Sequence, residues 1–325
     1  MSAAGPSRRD KLLVNLDVGK LQGLEIGALG KPLVRPDEGP VIFVDYADTA
    51  TLREKHKNDP TVIAADIVEV DAVWGSQTLQ QCIGAQRKVD YVLASHVIEH
   101  VPDLIAWLAE IRAILKPAGV LRLAIPDRRY TFDILRPESR IYDVIDAYLR
   151  HARAPLPRAI LELNNLAREV DCREAWDGPL NVRRLRPLGN PADGIAQARD
   201  TLANGTYYDT HCWVFTPVSF AELCAGMAEL GLLDLACAYY FETPRNELEF
   251  FVGMAPGVGQ EAIVASWRGM RDSLLASRTY QKAPPGFWRR LTSLVLLRKP
   301  RRRLRAAIGK ARVKWRGRRA RLRGA

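Results

Sequence analysis

Short apolar runs, each closed by an acid or a small polar residue, recur through the first part of the chain. "VIFVDY" (Val41 to Tyr46), "TVIAA" (Thr61 to Ala65, closed by Asp66), "VDYVLAS" (Val89 to Ser95) and "VLRLAIP" (Val120 to Pro126) read as buried strands, and Gly23 to Leu29 is strand-like as well. Helical patterns lie between them. Arg9 to Leu21 reads as a short helical lead-in, and Thr49 to Lys57 as a helix capped by Asp48 or Thr49. In "PDLIAWLAEIRAIL", Leu104, Trp107, Leu108, Ile111 and Leu115 fall on one face, with Pro102 in the first turn and "KPAG" as the stop. Strands alternating with helices at this interval predict an α/β fold: a Rossmann-like, doubly wound, mostly parallel sheet.

The pattern changes from Leu135 to Gly205, which is polar, proline-punctuated and helical, and reads as a cap inserted into the fold. After it, "TPVSFAELCAGMAELGL" is a helix with Pro217 in its first turn. "LLDLACAYYFET" and "NELEFFVGM" are two strands joined so tightly that they must pair antiparallel. The predicted organisation is a core over residues 1–135 and 205–257, a helical insertion over 136–204, a linker with a weak helix over 258–285 and a basic amphipathic tail over 286–325. No internal repeat is visible.

Charge sharpens this division. The net charge of +11 is concentrated at the C-terminal end: from Gly286 onward there are 16 Lys or Arg and no acid, which leaves 32 basic against 37 acidic residues before it, a net of −5. No run approaches the ~20 apolar residues that span a bilayer. Met1 to Leu16 lacks the apolar stretch of a secretory signal. The cysteines (Cys82, Cys172, Cys212, Cys224, Cys237) show neither a CxxC pair nor zinc spacing, so reduced thiols, a cytoplasmic setting and no metal are expected.

In a sheet of this kind, ligands sit beyond the carboxyl ends of the strands. Those ends carry "LEIGALG", Asp45 in "FVDYAD", Asp66 in "AAD", and the block "ASHVIEHVPDLIAWLAEIRAILKPAG". Together with the closing hairpin, they resemble a class I S-adenosylmethionine-dependent methyltransferase of the type 11-like kind, over roughly Leu21 to Pro256. The resemblance implies S-adenosylmethionine as cofactor. Glu25 would take its ammonium group, and the backbone at Gly27 and Ala28 would approach it closely. Asp45 would accept the ribose hydroxyls, Asp66 and the Ile67 backbone would meet the adenine, and Ser95 would border the methionine end. The glycine loop departs from the family pattern. Leu29 and Lys31 stand where glycines belong, and Pro32, Pro36 and Pro40 punctuate a crossover of about 11 residues, near the minimum for a parallel connection. The usual first helix should therefore be a single turn or absent.

Methyl transfer needs alignment and sometimes a base for the acceptor hydroxyl. His96, His100 and His211 are the candidates, with Asp209 near enough to orient His211. Shaping the pocket by hydrogen bonding is the competing role for each. His56 reads as solvated. Arg129 and Tyr130, just beyond the fifth strand, are candidate acceptor contacts, whereas Arg128 reads equally well as part of a solvated loop. "PDRRYTFDILRPES", "HCWVFTP" and "NELEFF" resemble bacterial methyltransferases of cell-surface polysaccharide assembly, which implies a sugar or glycan acceptor. The tail joins Phe287, Trp288, Leu291 and Leu294 to a polybasic run. That suits an anionic membrane surface better than nucleic acid, placing the protein in the cytoplasm or peripherally on the inner membrane face. The alternatives are an RNA or DNA methyltransferase that uses the tail on phosphates, and a non-catalytic membrane-associated module of a biosynthetic complex.

Overall fold

The strands lie side by side in the order β3-β2-β1-β4-β5-β7-β6. The computed structural model describes residues 5–60, 62–75 and 77–277, all within one compact unit. Among them, β1 (Gly23–Ile26), β2 (Val41–Asp45), β3 (Ala72–Val73), β4 (Val89–Ser95) and β5 (Leu115–Pro126) pair in parallel. β6 (Leu235–Phe241) and β7 (Glu249–Pro256) pair antiparallel, and β7 joins the sheet antiparallel to β5. The fold expected from the sequence is thus present, closing hairpin included. The order reverses between β1 and β4, so a crevice opens beyond their carboxyl ends.

Strand alternation distributes the core to both faces of the sheet. Val92 and Ala94 of β4 join the larger cluster, with Trp107, Ile111, Phe220 and Trp267, while Tyr91 and Leu93 join a smaller one with Leu12, Leu33, Val34 and Phe251. The smaller cluster is roofed by α1 (Arg8–Leu12) and by the β1–β2 crossover, which contains no helix. Glu25 takes over the missing helix's task of fixing the loop. Its buried carboxylate accepts the Leu33 N–H at 2.9 and 3.0 Å and the Val34 N–H at 3.3 Å.

Several expected elements are confirmed with small shifts. α2 (Thr49–His56) is capped by Asp48. After α3 (Leu79–Ile83), α4 (Leu104–Ile114) is capped by Asp103, so Pro102 precedes the helix and does not lie within its first turn. "KPAG" belongs to the long β5. The insertion is helical: α5 (Ile141–Leu149), α6 (Pro157–Leu166), α7 (Cys172–Asp177) and α8 (Pro191–Asn204). α9 (Pro217–Glu229) starts at Pro217 behind the Thr216 cap, whose Oγ1 accepts the Ser219 N–H at 3.2 Å.

Three expectations need correcting. The lead-in helix ends at Leu12, well short of Leu21. "TVIAA" is not a strand: Ile63 is 65% exposed, Ala64–Asp66 is a 3-10 turn, and β3 comes later at Ala72–Val73. The place beside β2 is taken by the segment whose Asp71 N–H donates to Phe43 O and whose Trp74 N–H donates to Asp45 O, at 2.9 and 2.8 Å. The expected linker holds α10 (Gln260–Ala276), which buries Ile263, Trp267, Met270 and Leu274 against α9 and β6. The expected amphipathic tail lies outside the described residues.

Candidate active site

At the end of β1, Gly27 has φ +70° and Leu29 φ +46°, so the chain turns sharply away from the sheet. A Cβ at Gly27 would come within 3.2 Å of Val97 Cγ2, so the glycine also lets the backbone lie close to the β4 end. Two buried carboxylates flank this turn. Burial pushes Glu25 up to about 7 against the two backbone N–H groups that hold it down, and raises Asp45 against the Tyr46 N–H bound at 2.7 Å. Carboxylates short of charge compensation suit a ligand that brings an ammonium group and a diol. The opening between β1 and β4 therefore fits S-adenosylmethionine. Asp66 is exposed and does not end a strand, but its Cβ lies 3.4 Å from where a Gly30 Cβ would stand, so it borders the same loop. The Ile67 N–H donates to Ala64 O at 3.3 Å.

Ser95, at the end of β4, meets the guanidinium of Arg8. Arg8 also binds Glu249 through Nε at 2.7 Å, and Glu249 binds His96 Nε2 at 2.8 Å. Burial opposes protonation of His96, but Glu249 and Glu99 outweigh it and push the ring up to about 9. His96 itself adopts φ +54°, which turns the chain into the "VIEH" segment and buries Glu99 completely.

Four residues further along the block and 111 residues later in the chain, His100 and His211 meet around Glu99. Their rings lie edge-on with centroids 4.7 Å apart. The returning segment is fixed by backbone: Glu99 O accepts the Cys212 N–H at 2.6 Å and the Trp213 N–H at 3.2 Å. The expected partner of His211 is corrected here. Asp209 Oδ1 lies 2.8 Å from His100 Nδ1, whereas His211 Nδ1 lies 2.6 Å from Asp133 Oδ2. Asp133 is held in turn by Arg136 at 2.8 Å, and Arg136 also donates to His211 O at 2.7 Å. Burial works against ionising Asp133, but His211 and Arg136 prevail and lower its pKa.

Beside this cluster lies a cavity of about 340 Å³ lined by His96, Pro126, Tyr130, Phe132, Cys172 and His211, among others. Tyr130 lies in it, stacked on Trp176 of α7 at 4.1 Å. Burial pushes Tyr130 up to about 12, so its hydroxyl stays protonated. Arg129 is not a lining residue. It is buried in a two-pronged pair with Asp127, with Nε 2.9 Å from Oδ1 and Nη2 2.5 Å from Oδ2. Arg128 is likewise buried rather than solvated, and donates to Ile134 O at 2.7 Å. The sequence reading missed Arg8, Glu99, Asp133, Trp176 and Glu249, although Glu99 stands inside the "SHVIEH" block itself.

This architecture matches a known family: a model of the methyltransferase domain covers residues 40–227, more than half of the chain. The chain belongs to the methyltransferase-domain family. Membership agrees with the fold and with the cofactor implied by the motifs, S-adenosylmethionine. Among solved structures, the CcbJ methyltransferase of Streptomyces caelestis is 19% identical over 39% of this chain and 56% of its own, with a TM-score of 0.27. A putative zinc-dependent alcohol dehydrogenase of Rhodobacter sphaeroides is 14% identical over 78% of this chain and 91% of its own, with a TM-score of 0.43. An S-adenosylmethionine-dependent methyltransferase of Mesorhizobium loti is 11% identical over 73% and 92%, with a TM-score of 0.34. None of these is close enough to carry a substrate across. No curated protein matches the chain.

Proposed function

We propose that this methyltransferase-domain protein methylates a hydroxyl group of a sugar or glycan intermediate. The observation that carries the reading is the cavity beyond β4 and β5, where Tyr130 stacked on Trp176 stands beside His211. An aromatic wall and fixed polar groups suit a polyhydroxylated ring. When bound, S-adenosylmethionine supplies an electrophilic methyl group. Asp45 would hold its ribose hydroxyls and Glu25 its ammonium, with Gly27 and Ala28 alongside. The chain's own work is to orient the acceptor and ease loss of its hydroxyl proton. His211 is the group placed for that: Asp133 fixes Nδ1, and Nε2 is the nitrogen left for the acceptor side. His96 is paired to Glu249, and His100 is absent from the cavity wall. The basic tail is proposed to hold the enzyme at an anionic membrane face, where lipid-linked glycans are built.

Tritiated methyl transfer from S-adenosylmethionine into fractionated cell extract tests the acceptor. Label in a glycan or lipid-linked fraction is expected. Label confined to RNA or DNA, or in no fraction, would overturn the reading.

A further inference from the structure

We propose that Glu99, His100 and His211 bind a divalent transition-metal ion, with the acceptor hydroxyl oxygen as a further ligand on the cavity side. A carboxylate oxygen of Glu99 and one nitrogen from each histidine all lie within 4.8 Å of one another. Bonds of ~2.1 Å to a shared ion need ligand separations of roughly 3–4 Å, so modest side-chain shifts close the shell.

Glu99 carries the argument. Its side chain is wholly inaccessible, and neither carboxylate oxygen has a hydrogen-bond partner. Leaving a buried carboxylate without any hydrogen bond is costly. The nearest rings give it only loose ion contacts: His96 Nδ1 is 3.5 Å and His100 Nε2 is 3.9 Å from Oε1, at or beyond the limit of a hydrogen bond. A cation among the three side chains would satisfy Glu99.

The histidines are prepared in the way that ligating imidazoles are. Each has a carboxylate beside its Nδ1: Asp133 hydrogen-bonds His211, and Asp209 stands 2.8 Å from His100 as an ion contact without hydrogen-bond geometry, which leaves both Nε2 atoms for the centre. An outer carboxylate of this kind raises the basicity of the ligating nitrogen, and for His211 the hydrogen bond also fixes the tautomer. Two imidazoles and one carboxylate with open positions suit manganese, iron, cobalt or zinc better than calcium. The expectation of no metal rested on cysteine spacing. This donor set uses no cysteine, and it joins residues far apart in the chain.

The site itself stands on geometry alone, while its role rests on the hydroxyl-methylation reading. A metal-bound hydroxyl gives up its proton to water more readily, and His211 then serves as a metal ligand instead of a free base.

The test uses the full chain, stripped with chelator and titrated calorimetrically with manganese chloride or zinc chloride alone. One ion per chain is expected. Glu99→Gln and His211→Ala should each weaken binding at least about tenfold, with His151→Ala unchanged and folding checked by circular dichroism. His100→Ala, at a half-buried position, provides the same readout should Glu99→Gln fail to fold. Absence of binding to the wild type, or unchanged binding by the folded variants, would overturn the site. Full-rate methyl transfer by the metal-free chain would overturn the metal's role and leave the methyltransferase reading standing. Stoichiometric binding without transfer to any hydroxyl would uphold the site and overturn that reading.

Discussion

Asp133 fixes His211 by its side chain and Arg136 by its charge, so one substitution there has two consequences. Asp133→Asn removes the anion that orients the ring, and it leaves Arg136 as a wholly buried guanidinium without its main counterion. A stability loss of about 3–5 kcal/mol is expected in urea unfolding. Below the melting transition, kcat should fall at least about tenfold with KM nearly unchanged, whereas His211→Ala should lose roughly 10²–10⁴-fold. Asp209→Asn should do less, because Asp209 has a 65% exposed side chain and touches His100 instead. An equal or larger loss in Asp209→Asn would refute this assignment. Glu25 gives a second handle. Its folded pKa of about 7 lies above the ordinary 4.5 of a glutamate, so the native state holds an extra proton between those values, and Glu25 makes the fold less stable as pH rises through that window. A cofactor ammonium selects the ionised form, so S-adenosylmethionine affinity should rise across the same window and flatten in Glu25→Gln. A calorimetric titration at several pH values reads both, and identical slopes for the two proteins would sink the ammonium contact. The positions of Gly27 at a turn and of Asp45 at the end of β2 were readable because their neighbours in sequence define their setting, whereas Asp66 does not end a strand. Glu99, Asp133 and Glu249 were not, because their partners lie elsewhere in the chain: Asp133 meets His211 across 78 positions, and Glu249 meets His96 across 153.

Among the elements, α10 is the segment whose status the structure changes most. Ile263, Trp267, Met270 and Leu274 follow helical spacing, and all four are buried. Trp267 donates to Leu235 O at 2.9 Å and meets Phe220 edge-on at 5.9 Å, which locks α10 to β6 and α9 together. Trp267→Ala should therefore cost about 3–5 kcal/mol. In a linker the same change would stay within about 0.5 kcal/mol, so the urea midpoint decides between the two descriptions. The periodicity was present in the sequence, but the charged residues between the apolar positions made the segment read as weakly helical. β3 shows the opposite error. "TVIAA" has the composition of a strand, yet a short apolar run carries no period of its own, and its place in the sheet goes to a two-residue strand that starts eleven positions after Thr61 and is defined by backbone pairing to β2. The absent helix after β1 was legible, because the prolines and the short crossover forbid it. What the sequence could not convey is that the Glu25 carboxylate fixes that loop in its stead.

For the molecule as a whole, charge is divided unevenly: residues before Gly286 carry a net of −5, and the 16 basic residues after it have no acid among them. An acidic body is repelled by an anionic bilayer, and no described helix is long and apolar enough to cross one. Attachment to a membrane would therefore depend on residues 286–325. At about 1 kcal/mol per basic residue near such a surface, a quarter of them contributes about 4 kcal/mol, close to a thousandfold in partitioning. The full chain should sediment with vesicles containing phosphatidylserine, release as salt shortens the Debye length, and lose binding entirely on removal of 286–325. Phosphate backbones offer the same charge, so RNA competes in the test, but aromatic and aliphatic residues interleaved with the basic ones gain further only where there is a hydrocarbon boundary to enter. Vesicle binding should consequently retain a salt-resistant part that Trp288→Ser with Leu291→Ser removes, while RNA binding by the same chain should fall steeply with salt and ignore those substitutions. Binding to RNA alone, with vesicles left in the supernatant, would reverse the assignment of the tail and shift the acceptor toward nucleic acid.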